Sequence, residues 1–164
     1  MSEKYKHLEV EDSKGAPAPE EVAAIEAKLG RPLPQDFLDF LSVANGAYLD
    51  YCVRVPPNGE ILSFCGIYLA GKNERGGYGY ETFIHEIETE RAYQNIPKGV
   101  LPFARDGGSS VVYLDLTPEG GGRVVAFVHG LPDWAGGREG DRFIEIAPSF
   151  ADYIEMLFKC EDET

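Results

Sequence analysis

Apolar positions along the chain fall into two periods. Val22, Ile25 and Leu29 recur at spacings of three and four, which predicts a helix over residues 22–29 with one buried face. Phe37, Phe40, Leu41 and Ala44 repeat the pattern and predict a second helix over 36–44. Between them, Gly30 ends the first helix and Pro32-Leu33-Pro34 holds an extended link. Asn45-Gly46 stops the second helix, because both residue types tolerate a left-handed backbone. Helices this short need a partner surface to persist in water.

The rest of the chain supplies candidates for that surface. Residues 51–55 are expected to form a strand, followed by a turn at Pro56-Pro57-Asn58-Gly59. Residues 61–70 continue as one bent strand, with Gly66 as the expected bulge. Residues 71–80 are irregular and glycine-rich. Residues 81–95 read as a helix with Phe83, Ile84, Ile87 and Tyr93 on a broken apolar side. Residues 100–103 lead into a turn at 104–108 with permissive glycines. Strands follow over 109–116 and 123–129, and these two suggest an antiparallel pair. After an insertion at 130–142 come a short strand over 143–147 and a helix from Pro148. The buried stripe of that helix is Phe150, Ile154, Leu157 and Phe158. The expected fold is α+β, a single domain with a mostly antiparallel sheet and helices packed on one side. Residues 1–19 are expected to be a loose N-terminal arm settling near the first helix, 20–160 the domain, and 161–164 an acidic tail.

Composition narrows the function. A chain of 164 residues, 43% apolar, can bury a real core. Its formal charge of −13 repels nucleic acid and anionic membranes and attracts a basic partner. No apolar segment near the start suits a signal peptide, and none is long enough to span a bilayer, so the cytoplasm is the default expectation. Cys52, Cys65 and Cys160 are odd in number and widely spaced, and they are expected to be free thiols.

Three groups of residues, in order, resemble the SMI1/KNR4 family of the SUKH superfamily. The first is Ile25-Glu26, Leu29-Gly30, Leu33-Pro34, Phe37, Phe40-Leu41 and Asn45-Gly46. The second is Leu101-Pro102-Phe103-Ala104 with Asp106-Gly107-Gly108 and Val112-Tyr113-Leu114-Asp115. The third is Ile146-Ala147, Ser149-Phe150 and Tyr153-Ile154. Physical chemistry assigns the motif residues Leu33, Pro34, Asn45, Gly46, Pro102, Phe103, Asp106 and Gly107 to scaffold duties. Leu33 suits a staple beside a helix start, and Asp106-Gly107 a turn before a strand. Ser109-Ser110 stand where family members often carry another glycine. The resemblance implies a non-enzymatic binding protein, with bacterial members resembling immunity proteins for toxins that are often nucleases. It implies no residue-level binding site.

Other chemistry finds little support. Lys72 follows Gly71 but precedes Asn73, so the phosphate-loop pattern is missing. His7, His85 and His129 offer no close ligand pair, and neither a metal nor a cofactor is expected. Cys52 and Cys65 sit among apolar strand residues, where buried inert thiols are expected. Glu86, Glu88 and Glu90 read as a solvated acidic face. Trp134 can fold back onto the sheet or present an aromatic anchor to a partner. Tyr78 and Tyr80 offer the same choice, and Asp133, Glu139 and Asp141 would supply negative charge beside such an anchor. The leading expectation is an immunity protein that masks a basic toxin, a nuclease being the expected class. A regulatory or scaffold interaction protein is the alternative, and a small hydrolase a remote one. The sequence leaves the toxin, the binding face and the oligomeric state open.

Overall fold

The computed structural model describes residues 5, 8–55, 60–72, 82–94, 98–105, 111–128 and 142–159. Helix α1 spans Pro19–Leu29 and α2 spans Gln35–Ala44. Pro19 opens α1, where a missing N–H costs nothing. The Glu21 side chain accepts a hydrogen bond from the Ala18 N–H at 2.8 Å. Gly30 closes α1 at φ 85°. Of the Asn45-Gly46 pair, only Gly46 takes the left-handed region, at φ 67°. Asn45 stays extended at φ −61°, contrary to the backbone role expected of it. Its buried side chain instead donates to the Gly15 carbonyl at 3.0 Å and accepts from the Ala70 N–H at 2.8 Å. It thereby ties the arm and the segment that follows the second strand to α2.

The strands are β1 (Tyr48–Val55), β2 (Glu60–Ile67), β3 (Val100–Arg105), β4 (Val111–Asp115), β5 (Arg123–Val128), β6 (Arg142–Ala147) and β7 (Phe158–Lys159). Helix α3 (Phe83–Gln94) lies between β2 and β3, and α4 (Phe150–Met156) between β6 and β7. All seven strands form one antiparallel sheet in the order β6-β5-β4-β3-β2-β1-β7. Six of them form a meander, and β7 returns from the far end of the chain to cover β1. The fold is therefore α+β with a single antiparallel sheet, as the sequence predicts.

Several expectations need correction. Strand β2 ends at Ile67 rather than 70. The register shifts between the pairs Tyr48–Gly66 and Tyr51–Phe64, so an irregularity does lie beside Gly66, with the extra residue in β1. Helix α4 stops at Met156, capped at its start by Ser149 Oγ, which accepts from the Asp152 N–H at 3.1 Å. Phe158 therefore belongs to β7, not to a helical stripe. Pro102 sits inside β3, where the register shifts between Pro102 and Ala104. A bulge is a place where a strand accommodates a residue without an N–H.

The core lies between the helices and one sheet face. Phe37 meets Phe83, Phe103 and Phe150 edge-on at centroid distances of 6.2, 5.6 and 5.3 Å. Phe64 and Tyr153 extend this cluster along the sheet at 5.3 Å. Strand alternation divides the residues as the period of two requires. Leu101, Val112, Leu114, Val124 and Ala126 join the main core, while Val100, Tyr113 and Val125 form a second buried cluster on the opposite face. Helix α3 packs on α1 and β3. Its Glu88 pairs with Lys28 at 2.7 Å, whereas Glu86 is buried. The expectation of a fully solvated acidic face on α3 therefore fails at Glu86.

Candidate functional site

Three segments far apart in sequence meet at the β1 edge of the sheet. The first is the arm. Tyr5 and Leu8 are buried in the core, so the arm is anchored rather than loose. The Tyr5 hydroxyl donates to Asp36 Oδ1 at 2.6 Å. Burial, and then that hydrogen bond, push its pKa upward. Glu11 and Tyr48 exchange two backbone hydrogen bonds at 2.9 and 2.8 Å, which adds the arm to β1 as a one-pair antiparallel extension. The second segment is the start of β1. The third is β7, which pairs Lys159 with Tyr51 and Phe158 with Cys52.

Side chains lock this junction. The Tyr51 hydroxyl accepts from the Glu9 N–H at 3.0 Å. The Lys159 ammonium lies 5.1 Å from the centre of the Tyr51 ring and also pairs with the Glu9 carboxylate. Above the junction is an open groove of about 710 Å³ lined by the arm from Leu8 to Glu11, by Tyr48, Leu49 and Asp50, and by Lys159. Leu49 faces the core, so Tyr48 and Asp50 on the other face of β1 point outward, and both are exposed. Tyr48 is 50% exposed, the only large apolar side chain so open among the described residues.

A second polar arrangement closes the β4–β5 hairpin. Buried Asp115 accepts from the Thr117 N–H at 3.1 Å, the Thr117 hydroxyl at 2.6 Å and Arg123 Nε at 2.9 Å. Burial alone would raise the Asp115 pKa, but the hydrogen bonds from Thr117 and Arg123 outweigh it and hold the carboxyl below its usual range. Arg123 is raised in turn, chiefly by its bond to Asp115, and it also reaches Glu145 at 3.5 Å. The Asp115 carboxylate is thus engaged by Thr117 and Arg123 of its own hairpin. We read it as a hairpin clamp, which needs no ligand.

The expected partner-binding residues Tyr78, Tyr80, Asp133, Trp134, Glu139 and Asp141 all lie outside the described residues. So do His7, His129 and Cys160, and Asp106 and Gly107 among the motif residues. Leu33, Asn45 and Phe103 are buried, and Leu33 donates its N–H to Glu26 Oε2 at 2.6 Å. Pro34 caps the start of α2. Cys52 is buried and disulfide-bonded, which overturns the expectation of an inert free thiol there. Among the described residues no group of three or more His, Cys, Asp or Glu side chains could hold a metal ion. No described helix is long and apolar enough to cross a membrane.

The groove at the β1 edge was missed from sequence. Its only local signals were the acidic spacing of Glu9 and Glu11 and the YLD run at 48–50, neither distinctive in a chain with 28 acidic residues. No curated protein matches the chain. The sequence model of the SMI1 / KNR4 family (SUKH-1) matches residues 16–156, from just before α1 to the end of α4. That span covers the two-helix motif, the meander and the closing helix together, and on it the chain belongs to the SMI1/KNR4 (SUKH-1) family.

Proposed function

We propose that this chain is a non-enzymatic protein-binding protein of the immunity type, which neutralises a cognate toxin by stoichiometric masking. Family membership is the observation that carries the reading. The charge of −13 supports a toxin with a basic surface, and nucleases, which must hold a polyanion, are the class that fits. Charge would speed the encounter, and loop shape would set the choice of partner. The residue set Tyr78, Tyr80, Asp133, Trp134, Glu139 and Asp141 remains the proposed anchor on the loops, and the cytoplasm, where a toxin would act, the proposed location.

The test is co-expression with the product of a neighbouring toxin gene. Protection of the cells, a one-to-one complex and an association rate that falls steeply with salt are expected. Trp134→Ala should mainly speed dissociation, because an aromatic anchor acts in the closed interface while charge acts during approach. Absence of both protection and a complex would refute neutralisation of that toxin and favour a regulatory or scaffold role.

A further inference from the structure

The groove between the arm, β1 and β7 has features that its structural duties do not use. Glu9 is occupied by Lys159 and holds the arm down. Glu11 and Asp50 line the same groove and have no ion-pair partner among the described residues. The Tyr48 ring stands half out of the surface beside them. The backbone carries a further signal. Glu11 spends its N–H and C=O on Tyr48, so alternation turns those of Val10 away from β1. Val10 makes no backbone hydrogen bond among the described residues. The arm therefore presents a short open edge, with an exposed ring and two carboxylates alongside. Open edges are protein-pairing sites unless they are blocked.

We infer that this edge docks an extended basic segment of the partner protein, pairing main chain at Val10, seating a guanidinium on Tyr48 and placing positive charge against Glu11 and Asp50. This rests on the protein-binding reading above and adds to its loop anchor a second contact of stated chemistry. The occupant is basic because Glu11 and Asp50 leave uncompensated negative charge in the groove. It is extended because only an extended chain can pair with the arm edge. Arginine fits better than lysine, since its planar group stacks on an aromatic face while donating to a carboxylate. An acidic or apolar segment would desolvate both carboxylates with nothing in return.

The probe is an extended peptide of alternating arginine and threonine, titrated into the full chain by calorimetry and by amide chemical-shift mapping. The glutamate–threonine peptide serves as control. We expect one-to-one saturable binding of the basic peptide only, with shifts centred on residues 9–12 and 48–50. Tyr48→Ala should weaken it roughly fivefold. The Glu11→Gln/Asp50→Asn double variant should bind weakly at low salt and lose most of the salt sensitivity. Glu9 is left intact because it secures the arm, and circular dichroism checks that each variant is folded. Absence of saturable binding, shifts centred elsewhere, or wild-type affinity in both folded variants would overturn the inference. Groove binding without protection from the neighbouring toxin would instead sink the immunity reading alone. Full toxin neutralisation by both variants would sink the groove alone.

Discussion

Replacing Phe40 by alanine should remove a large share of the stability of this domain. Phe40 is fully buried on α2. Its ring lies 5.0 Å from Phe150, 5.9 Å from Tyr5, 6.1 Å from Phe64 and 6.2 Å from Phe37. These neighbours come from the arm, α2, β2 and α4, so the cavity would be bounded by four separately anchored elements. Such walls collapse poorly, which places the cost toward the upper part of the roughly 3–5 kcal/mol seen for burying nothing where a phenylalanine stood. Domains of this kind hold only about 5–15 kcal/mol in total. The expected fall in melting temperature is on the order of 10 °C. Phe40→Leu keeps much of the volume and loses the edge-on contacts, so it should cost about 1–2 kcal/mol. Urea unfolding followed by circular dichroism measures both, with the slope expected to stay unchanged. A loss below about 1 kcal/mol for Phe40→Ala would refute the reasoning that rigid walls surround the Phe40 ring.

Two further outcomes follow from the polar groups. The Asp115 carboxyl has a folded pKa below its unfolded value, so its contribution is present above about pH 3.9 and is lost as pH falls through the folded value. Asp115→Asn should therefore cost about 1–3 kcal/mol near pH 7, less for the bond to half-exposed Arg123. The gap from wild type in urea titrations should close in acid, and a gap independent of pH would contradict the clamp. The chain has three cysteines and Cys52 is in a disulfide, so thiol titration of the unreduced, denatured protein should find one thiol per chain. Reduction should lower stability by about 2–4 kcal/mol, and three titratable thiols at the outset would refute the bridge.

The sequence by itself determined what is local or periodic. The stripes at Val22, Ile25 and Leu29 and at Phe37, Phe40 and Leu41 are set by 3.6 residues per turn, and α1 and α2 appear where those stripes lie. The alternation of Val112, Tyr113 and Leu114 likewise separates two sheet faces. The motif order carried the family. Tertiary structure decided whatever depends on residues distant along the chain. Phe158 looked helical because its spacing from Ile154 is four, yet α4 ends at Met156 and β1 offers hydrogen bonds to Phe158 and Lys159. Glu86 looked solvated because its neighbours are charged, yet α3 packs on α1 and β3 and buries it. Asn45 read as a backbone punctuator, and its side chain proved to be the tie, through Gly15 and Ala70, thirty and twenty-five residues away. The groove at Tyr48 needs residues 9, 48 and 159 at one edge, a juxtaposition that no window of sequence contains and only the return of β7 to β1 creates.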